Sequence, residues 1–151
     1  MVKILKTNSS NSDFIELVNE LDAYLAISDG DEHEFYDQFN KLDAIEHVII
    51  LYENNTPVAC GAIKKYSESA VEIKRMYVIP ISRNKGYASK ILEFLEVWAK
   101  ELGYRKCILE TGHRQKEAIG LYHRNNYNLI PNYSPYEHRE NSRCFEKILD
   151  S

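Results

Sequence analysis

The chain has 151 residues, a formal net charge of −4 at pH 7, 44% hydrophobic residues and 28% charged residues. These values are typical of an ordinary globular protein, and we expect a single domain over residues 1–151. The acidic balance argues against a general nucleic-acid binder, and no run approaches the roughly 18 apolar residues of a membrane span. Neither a nucleic acid nor a membrane is therefore expected as a partner.

Three cysteines, Cys60, Cys107 and Cys144, lie at wide spacing in segments that predict strands. An odd number of cysteines at such spacing favours small buried thiols over disulfides or a metal site. The five histidines form no ligand spacing with the cysteines, so no metal is expected. The first residues are too short an apolar run for a signal peptide, and we expect a cytoplasmic protein.

The N-terminal part predicts one strand and two helices. Residues 2–6 alternate and indicate an edge strand. Ser12 is expected to cap a helix whose apolar residues recur at spacings of three and four. The acidic run at 29–34 indicates a turn, and residues 34–42 predict a second, shorter helix.

A three-stranded meander is predicted next, at residues 47–53, 57–66 and 71–79. Asn54 and Asn55 separate the first two strands, and asparagine tolerates the positive φ of a hairpin turn. A long amphipathic helix is predicted at 85–102. It carries an apolar stripe of residues at 88, 91, 92, 95, 99 and 102, and Gly103 follows as a left-handed cap.

The C-terminal part predicts a short strand at 106–111 that lies parallel to the strand at 71–79. A last helix is predicted at 116–125, with Asn126 in a left-handed conformation at its end. Two antiparallel strands close the chain, at 127–130 and 143–149, joined by a polar, aromatic loop.

The joint between the third meander strand and the long helix has the character of an anion-binding site. A helix start leaves about four N–H groups unpaired, and the macrodipole makes that end positive. Gly86 has no side chain and Ala88 nearly none, so an anion could approach the backbone closely. Arg83 and Lys85 add positive charge. The segment therefore predicts phosphate binding, although the spacing of a P-loop is absent.

The pattern Arg83-x-x-Gly86-x-Ala88, between that strand and that helix, resembles the pyrophosphate loop of GNAT acetyltransferases. Residues 118–127, Ala-Ile-Gly-Leu-Tyr-His-Arg-Asn-Asn-Tyr, are similar to the second signature of the same superfamily. The resemblance implies a mixed α/β (α+β) fold, with a mixed six- to seven-stranded sheet, a central splayed parallel strand pair and helices on both faces.

The resemblance also implies an activity. It predicts one N-acetyltransferase domain that transfers an acetyl group from acetyl-CoA to a primary amine of a small molecule or peptide, by direct attack in a ternary complex. A homodimer is a further expectation by analogy. A non-catalytic acyl-CoA-binding module is the alternative, and a nucleic-acid binder that uses the basic cluster at 74–85 is disfavoured by the net charge.

The acetyl-CoA contacts are assigned through the resemblance. They are Met76, Tyr77, Val78, Arg83, Asn84, Lys85, Gly86, Tyr87, Ala88, Gln115, Ala118 and Tyr122. The backbones of Met76 and Val78 are expected to hold the pantetheine arm in a crevice where the parallel strands splay. Gln115 stands where the family commonly has asparagine.

Two residues are expected to be catalytic. Glu72 matches the glutamate that some family members use as general base, with a lysine ion pair or a water chain as the alternatives. Tyr122 matches the tyrosine that protonates the leaving thiolate, with simple packing as the alternative. A backbone N–H of Met76 or Tyr77 is the expected oxyanion donor.

Aromatic and acidic residues are expected to surround the acceptor amine. The aromatic candidates are Tyr24, Tyr36, Tyr133 and Tyr136, whose rings would suit a cation, although half-buried rim residues would look the same in a sequence. The acidic run at 29–34 either attracts a cationic acceptor or forms a solvated turn.

Overall fold

A computed structural model describes residues 1–29 and 44–149 of the chain. The predicted helix at 34–42, Tyr36 and the acidic run beyond Asp29 lie outside the described residues. In the described part, no helix combines the length and apolar character needed to cross a membrane.

The described residues form seven strands, three α-helices and a 3₁₀ turn at Pro80–Ser82. The elements are β1 Val2–Thr7, α1 Ser12–Asp29, β2 His47–Glu53, β3 Thr56–Lys65, β4 Ala70–Val78, α2 Tyr87–Glu101, β5 Lys106–Gly112, α3 Lys116–Arg124, β6 Asn128–Ile130 and β7 Ser142–Ile148. Each predicted element in this part of the chain is present, and where the sequence predicts both ends of an element the bounds differ by at most two residues.

The strands form one mixed sheet in the order β1-β2-β3-β4-β5-β7-β6. β4 and β5 are parallel, whereas β1–β2, β2–β3, β5–β7 and β6–β7 are antiparallel pairs. The parallel register joins residues 70–72 to residues 106–108, while β4 continues to Val78 and β5 to Gly112. The predicted fold class is confirmed.

The chain divides into two compact units. The first unit contains residues 1–64 and 73–95, and the second contains residues 65–72 and 96–151. β4 and α2 each contribute residues to both units. A single domain therefore stays a prediction.

In the first unit, helices cover both faces of the strands. On one face, α1 packs against β2 and β3 through a buried cluster of Phe14, Leu17, Val18, Leu21, Val48, Ile50, Cys60 and Ala62. On the other face, a Cβ at Gly61 would stand 2.5 Å from Met76 Sδ and 2.7 Å from Ile91 Cγ2 of α2. Alternate residues of a strand point to opposite faces, so Gly61 lets β4 and α2 approach β3 closely.

The residue that caps α1 is Asn11 and not Ser12, so that prediction was wrong by one position. Asn11 Oδ1 accepts hydrogen bonds from the backbone N–H groups of Asp13 at 2.8 Å and Phe14 at 3.2 Å. Asparagine and serine are about equally good N-caps, and the sequence alone did not rank the two neighbours.

Positive φ angles occur where the sequence predicts them. Asn54 and Asn55 have φ of 50° and 71° in the turn between β2 and β3. Gly103 ends α2 at 95°, and Asn126 follows α3 at 69°. These values confirm the predicted hairpin turn and both left-handed helix ends.

The second unit packs three aromatic rings between α3 and the end of the sheet. The Tyr122 ring lies 5.7 Å from the Tyr127 ring and 6.1 Å from the Phe145 ring. Tyr127 is buried and donates a hydrogen bond to Glu96 Oε2 at 2.9 Å. α3 is thereby held against β7.

The three cysteines are buried and free. Cys60 lies in β3, Cys107 in β5 and Cys144 in β7. The interpretation of these residues as small buried thiols is confirmed. Burial raises the pKa of the Cys60 thiol to about 12, so it stays an uncharged core group.

Candidate active site

The turn before α2 leaves its backbone open. Asn84 and Gly86 have left-handed φ angles of 66° and 80°, and α2 begins at Tyr87. Among the described residues, a Cβ at Gly86 would meet no atom within 4 Å beyond its chain neighbours, so the Cβ position of this residue is open. Lys90 N–H donates to Gly86 O at 3.1 Å and starts the helical ladder. Successive N–H groups in such a turn make an anion-binding concavity.

Glu53, the last residue of β2, holds the turn from the side. Its Oε2 lies 3.0 Å from Lys85 Nζ and also accepts a short hydrogen bond from the Tyr87 hydroxyl. The hydrogen bonds from Tyr87 and Lys85 lower the pKa of Glu53 below its ordinary value. The positive charge that Lys85 was expected to add at the turn is therefore partly compensated by Glu53.

Arg83 is tied to the end of β4. Its Nε donates to Val78 O at 2.9 Å. Its guanidinium carbon lies 5.8 Å from the centroid of the Tyr77 ring and 6.0 Å from that of Tyr24. These contacts hold the charge of Arg83 between β4 and the turn, and Tyr24 packs on this cation.

The backbone of β4 offers N–H groups at one edge. Ile79 N–H donates to Val58 O of β3 at 2.9 Å. N–H groups of successive residues in a strand point to opposite edges, so Tyr77 N–H also faces β3. Met76 and Val78 then present their N–H groups at the edge away from β3. This geometry favours Met76 over Tyr77 as the oxyanion donor.

Glu72 makes a contact that the sequence did not indicate. Its Oε2 accepts a hydrogen bond from the Tyr133 hydroxyl at 2.7 Å. The Tyr133 ring lies 5.1 Å from that of Tyr66 and 5.8 Å from that of Tyr136. Since Glu72 stands opposite Ile108 in the parallel register, its carboxylate lies on the same sheet face as Glu110, two residues further along β5.

Tyr122 is buried near the end of α3, with 6% of its surface exposed. Burial raises the pKa of its phenol strongly, and the charge of Glu110 raises it further. The phenol is therefore protonated at any neutral pH. This is the state in which it could donate a proton.

Gln115 and Ala118 lie at the start of α3. Gln115 is the N-cap residue, and its backbone N–H donates to Gly112 O at 3.0 Å. Gln115 O accepts from Ile119 N–H at 3.0 Å, which begins the helix. Ala118 follows in the first turn and is partly exposed. The side chains of both residues therefore belong to a helix N-terminus.

Arg75 is a residue whose position sequence reasoning missed. Its φ is 60°, its side chain is only 2% exposed, and its Nη1 lies 2.7 Å from Asp22 Oδ1 of α1. Its Nε and Nη2 have no hydrogen-bond partner among the described residues. A basic residue in a strand ordinarily indicates exposure, and nothing in the local pattern signals this burial. Arg75 is thus not available to a nucleic acid on the surface.

Comparison with known proteins identifies the class of the protein. The sequence model described as the Acetyltransferase (GNAT) family matches residues 14–127. An IAA acetyltransferase from Azospirillum brasilense is 28% identical over 150 residues, which cover 98% of each chain. The chain belongs to the GNAT family and is an N-acetyltransferase, so the predicted family and the predicted enzyme are confirmed.

Solved structures agree with this assignment. A Klebsiella pneumoniae protein described as an acyl-CoA N-acyltransferase is similar with a TM-score of 0.83 and 30% identity, over 99% of each chain. The PaiA N-acetyltransferase from Thermoplasma acidophilum, solved in complex with coenzyme A, has a TM-score of 0.74 at 14% identity, over 98% of this chain and 99% of its own. The expected homodimer and cytoplasmic location stay predictions.

Replacing Asp22 by asparagine should destabilise the protein because it leaves the buried Arg75 charge without its counter-ion. We expect the free energy of unfolding to fall by about 1–3 kcal/mol, measured by urea denaturation at pH 7. The expected loss of stability is modest because the Asp22 side chain is 36% exposed and water partly screens the ion pair.

The control for this change is Glu68→Gln, which breaks the ion pair of Glu68 with Lys65. Those side chains are 93% and 57% exposed, so the substitution should leave the urea denaturation midpoint almost unchanged. Equal effects of the two substitutions would contradict the interpretation of Arg75 as a buried, paired charge.

Proposed function

We propose that this N-acetyltransferase takes its acetyl group from acetyl-CoA and transfers it to a primary amine of a small molecule or peptide by direct attack in a ternary complex. The turn before α2 carries this proposal. Its left-handed residues, the open space at the Cβ position of Gly86 and the N–H groups at the start of α2 together suit a diphosphate. Residues 83–88 are the proposed contacts.

The pantetheine arm is the second part of the donor to be held. It is a chain of amides that needs backbone partners, and the N–H groups of Met76 and Val78, at the edge of β4 away from β3, are the proposed ones. Val78 O already accepts a hydrogen bond from Arg83 Nε, so the N–H of Val78 is the group proposed to bind the arm. Gln115 and Ala118, at the start of α3, are the further proposed contacts of the arm.

The acceptor must lose a proton before it reacts. A lysine-like primary amine has a pKa of about 10.4, so its neutral form at pH 7 lies about 4–5 kcal/mol above the ammonium. Glu72 is the proposed base, and it takes this proton directly or through water. The freed lone pair then attacks the thioester carbonyl carbon.

The remaining steps stabilise the negative charge on the carbonyl oxygen and protonate the leaving sulfur. As the new C–N bond forms, negative charge collects on the carbonyl oxygen, where Met76 N–H is the proposed donor. The C–S bond then breaks and the leaving thiolate takes the proton of Tyr122, while the positively charged nitrogen of the new C–N bond loses its second proton to water and becomes the neutral amide. Burial and the nearby Glu110 charge raise the pKa of Tyr122, so the phenolate recovers a proton readily for the next turnover.

Replacing Gly86 by alanine should raise KM for acetyl-CoA, by about ten-fold, because the new methyl group stands where the diphosphate approaches the backbone. The change also forces a Cβ into a left-handed conformation, which costs roughly 1–2 kcal/mol of stability. Steady-state kinetics with varied acetyl-CoA and urea denaturation measure the two effects separately.

Gly103→Ala is a matched control, since Gly103 also has a positive φ, of 95°, and open space around its Cβ position. It should lose similar stability and keep the wild-type KM for acetyl-CoA. If both variants raise KM alike, the effect is one of general destabilisation and the diphosphate site is not at Gly86.

Replacing Tyr122 by phenylalanine should lower kcat by about 10²-fold or more, because the leaving thiolate loses its proton donor. The folded state should persist, since the ring contacts are kept. Tyr127→Phe, in the neighbouring ring, is the control: it loses the hydrogen bond to Glu96 and some stability but should keep its kcat. An unchanged kcat in Tyr122→Phe would remove the acid role.

A further inference from the structure

We propose that Tyr133, in the loop between β6 and β7, is a positioning residue that fixes the carboxylate of Glu72 for proton transfer from the acceptor amine. The inference rests on the proposed role of Glu72 as base and deepens it. Tyr133 does not itself exchange a proton with the substrate. Its part is to hold the group that does.

The carboxylate of Glu72 needs such a partner. The backbone of Glu72 is fixed by the parallel register with Ile108, but its side chain has three rotatable torsions. The Tyr133 phenol donates to Oε2 at 2.7 Å and so selects one orientation of the carboxylate. A base must lie within about 2.6–3.2 Å of the proton it takes, and a displacement of about 1 Å can cost up to 10²-fold in rate.

Tyr133 is itself held in a fixed direction. The rings of Tyr66 and Tyr136 contact it edge-on, at interplanar angles of 71° and 82°. The Tyr66 hydroxyl donates to Ser134 O at 3.2 Å, and Tyr136 N–H donates to Tyr133 O at 2.7 Å. Because these contacts fix the Tyr133 ring, its hydroxyl can hold the Glu72 carboxylate in one position.

Hydrogen bonds from the Asn132 side chain hold together the loop that carries Tyr133. Asn132 Nδ2 donates to Tyr136 O at 3.2 Å and to Arg139 O at 3.0 Å. Arg139 O accepts in turn from Ser142 N–H, at the start of β7, at 3.1 Å. The turn that presents the phenol is thereby connected to the sheet that presents the carboxylate.

The ionisation of Tyr133 suits a permanent donor. Burial raises its pKa strongly, and the charge of Glu72 raises it further, so the phenol keeps its proton throughout the neutral range. Among the described residues, Tyr66 and Cys144 interact electrostatically with Glu72, and Glu110 lies on the same sheet face. The pKa of Tyr66 is raised, and that of Cys144 is raised to about 11, in both cases mainly by burial, so neither becomes a competing anion.

A double-mutant cycle tests the proposal. Wild type, Tyr133→Phe, Glu72→Gln and the double variant are assayed at saturating acetyl-CoA, with the best acceptor from a panel of primary alkyl- and arylalkylamines. Tyr133→Phe should lower kcat about ten-fold and leave KM for acetyl-CoA unchanged, and Glu72→Gln should lower kcat about 10²-fold. The double variant should be no slower than Glu72→Gln, because Tyr133 acts through Glu72. Losses that multiply would overturn the proposal.

Tyr66→Phe is the matched control. It removes a phenol hydroxyl from the same aromatic cluster, but one that donates to Ser134 O and not to Glu72. Its effect on kcat should be small and should multiply with that of Glu72→Gln. The same non-additivity in this control would mean that the whole cluster, and not Tyr133, responds to Glu72.

Urea denaturation of the same four proteins gives a readout that needs no turnover. The midpoint shifts should be non-additive, because each single substitution already breaks the bond between phenol and carboxylate. If the midpoint shifts are non-additive but the losses of kcat multiply, Tyr133 has a structural role only, and this result would contradict the proposal. If the wild type acetylates no amine of the panel, the proposed function fails and the positioning role fails with it, whatever the midpoints show.

Discussion

The carboxylate of Glu53 sets the shape of the turn on which the proposed chemistry depends. It accepts hydrogen bonds from the side chains of Lys85 and Tyr87, the two residues that flank Gly86. Asn84 and Gly86 both have a left-handed φ. Glycine adopts this conformation freely, but it is unfavourable for other residues, so Asn84 bears the cost. The side-chain contacts from the end of β2 compensate for part of this cost and hold the first N–H groups of α2 in one direction. A preformed turn does not have to be ordered when an anion binds.

Polar groups with a proposed role are held in the same way at other points of the chain. Arg83 is fixed by a carbonyl of β4 and two aromatic rings, and Glu72 by a phenol. Arg75 combines a positive φ, deep burial and one counter-ion, Asp22. Such arrangements cost stability, and they persist when the surrounding structure determines them. Strand β4 supplies that surrounding for Glu72 and Arg75, while Arg83 is fixed by its bond to the carbonyl of Val78 at the end of the same strand.

The elements of the fold follow from local patterns, which explains why the sequence predicts them. The stripe of α2 requires only the helical period, and Gly103 and Asn126 require only a residue that tolerates positive φ. The Gly86 turn and the family membership were also predictable, because their residues are adjacent in the chain. The cap of α1 was assigned to Ser12 and not Asn11 because both residue types cap well and only the geometry distinguishes them.

Contacts between distant residues could not be predicted. Tyr133 and Glu72 are 61 residues apart, Arg75 and Asp22 are 53 apart, and Lys85 and Glu53 are 32 apart. None of these pairs leaves a periodic signal, because each depends on how strands and loops are arranged in space. They also decide the electrostatics of the candidate site, from the compensated charge of Lys85 to the buried charge of Arg75. The contacts within the candidate site therefore required the structure, whereas the elements that carry its residues were predictable from the sequence.

The central claim is that the turn before α2 binds the diphosphate of coenzyme A, and backbone amide NMR tests it most directly. Coenzyme A is titrated to millimolar concentration into ¹⁵N-labelled protein, with pantetheine, which lacks the diphosphate, as the control ligand. We expect the amide signals of Lys85, Gly86, Tyr87 and Ala88 to shift strongly with coenzyme A and little with pantetheine. Unchanged signals at these four amides, or the same shifts with both ligands, would contradict the account.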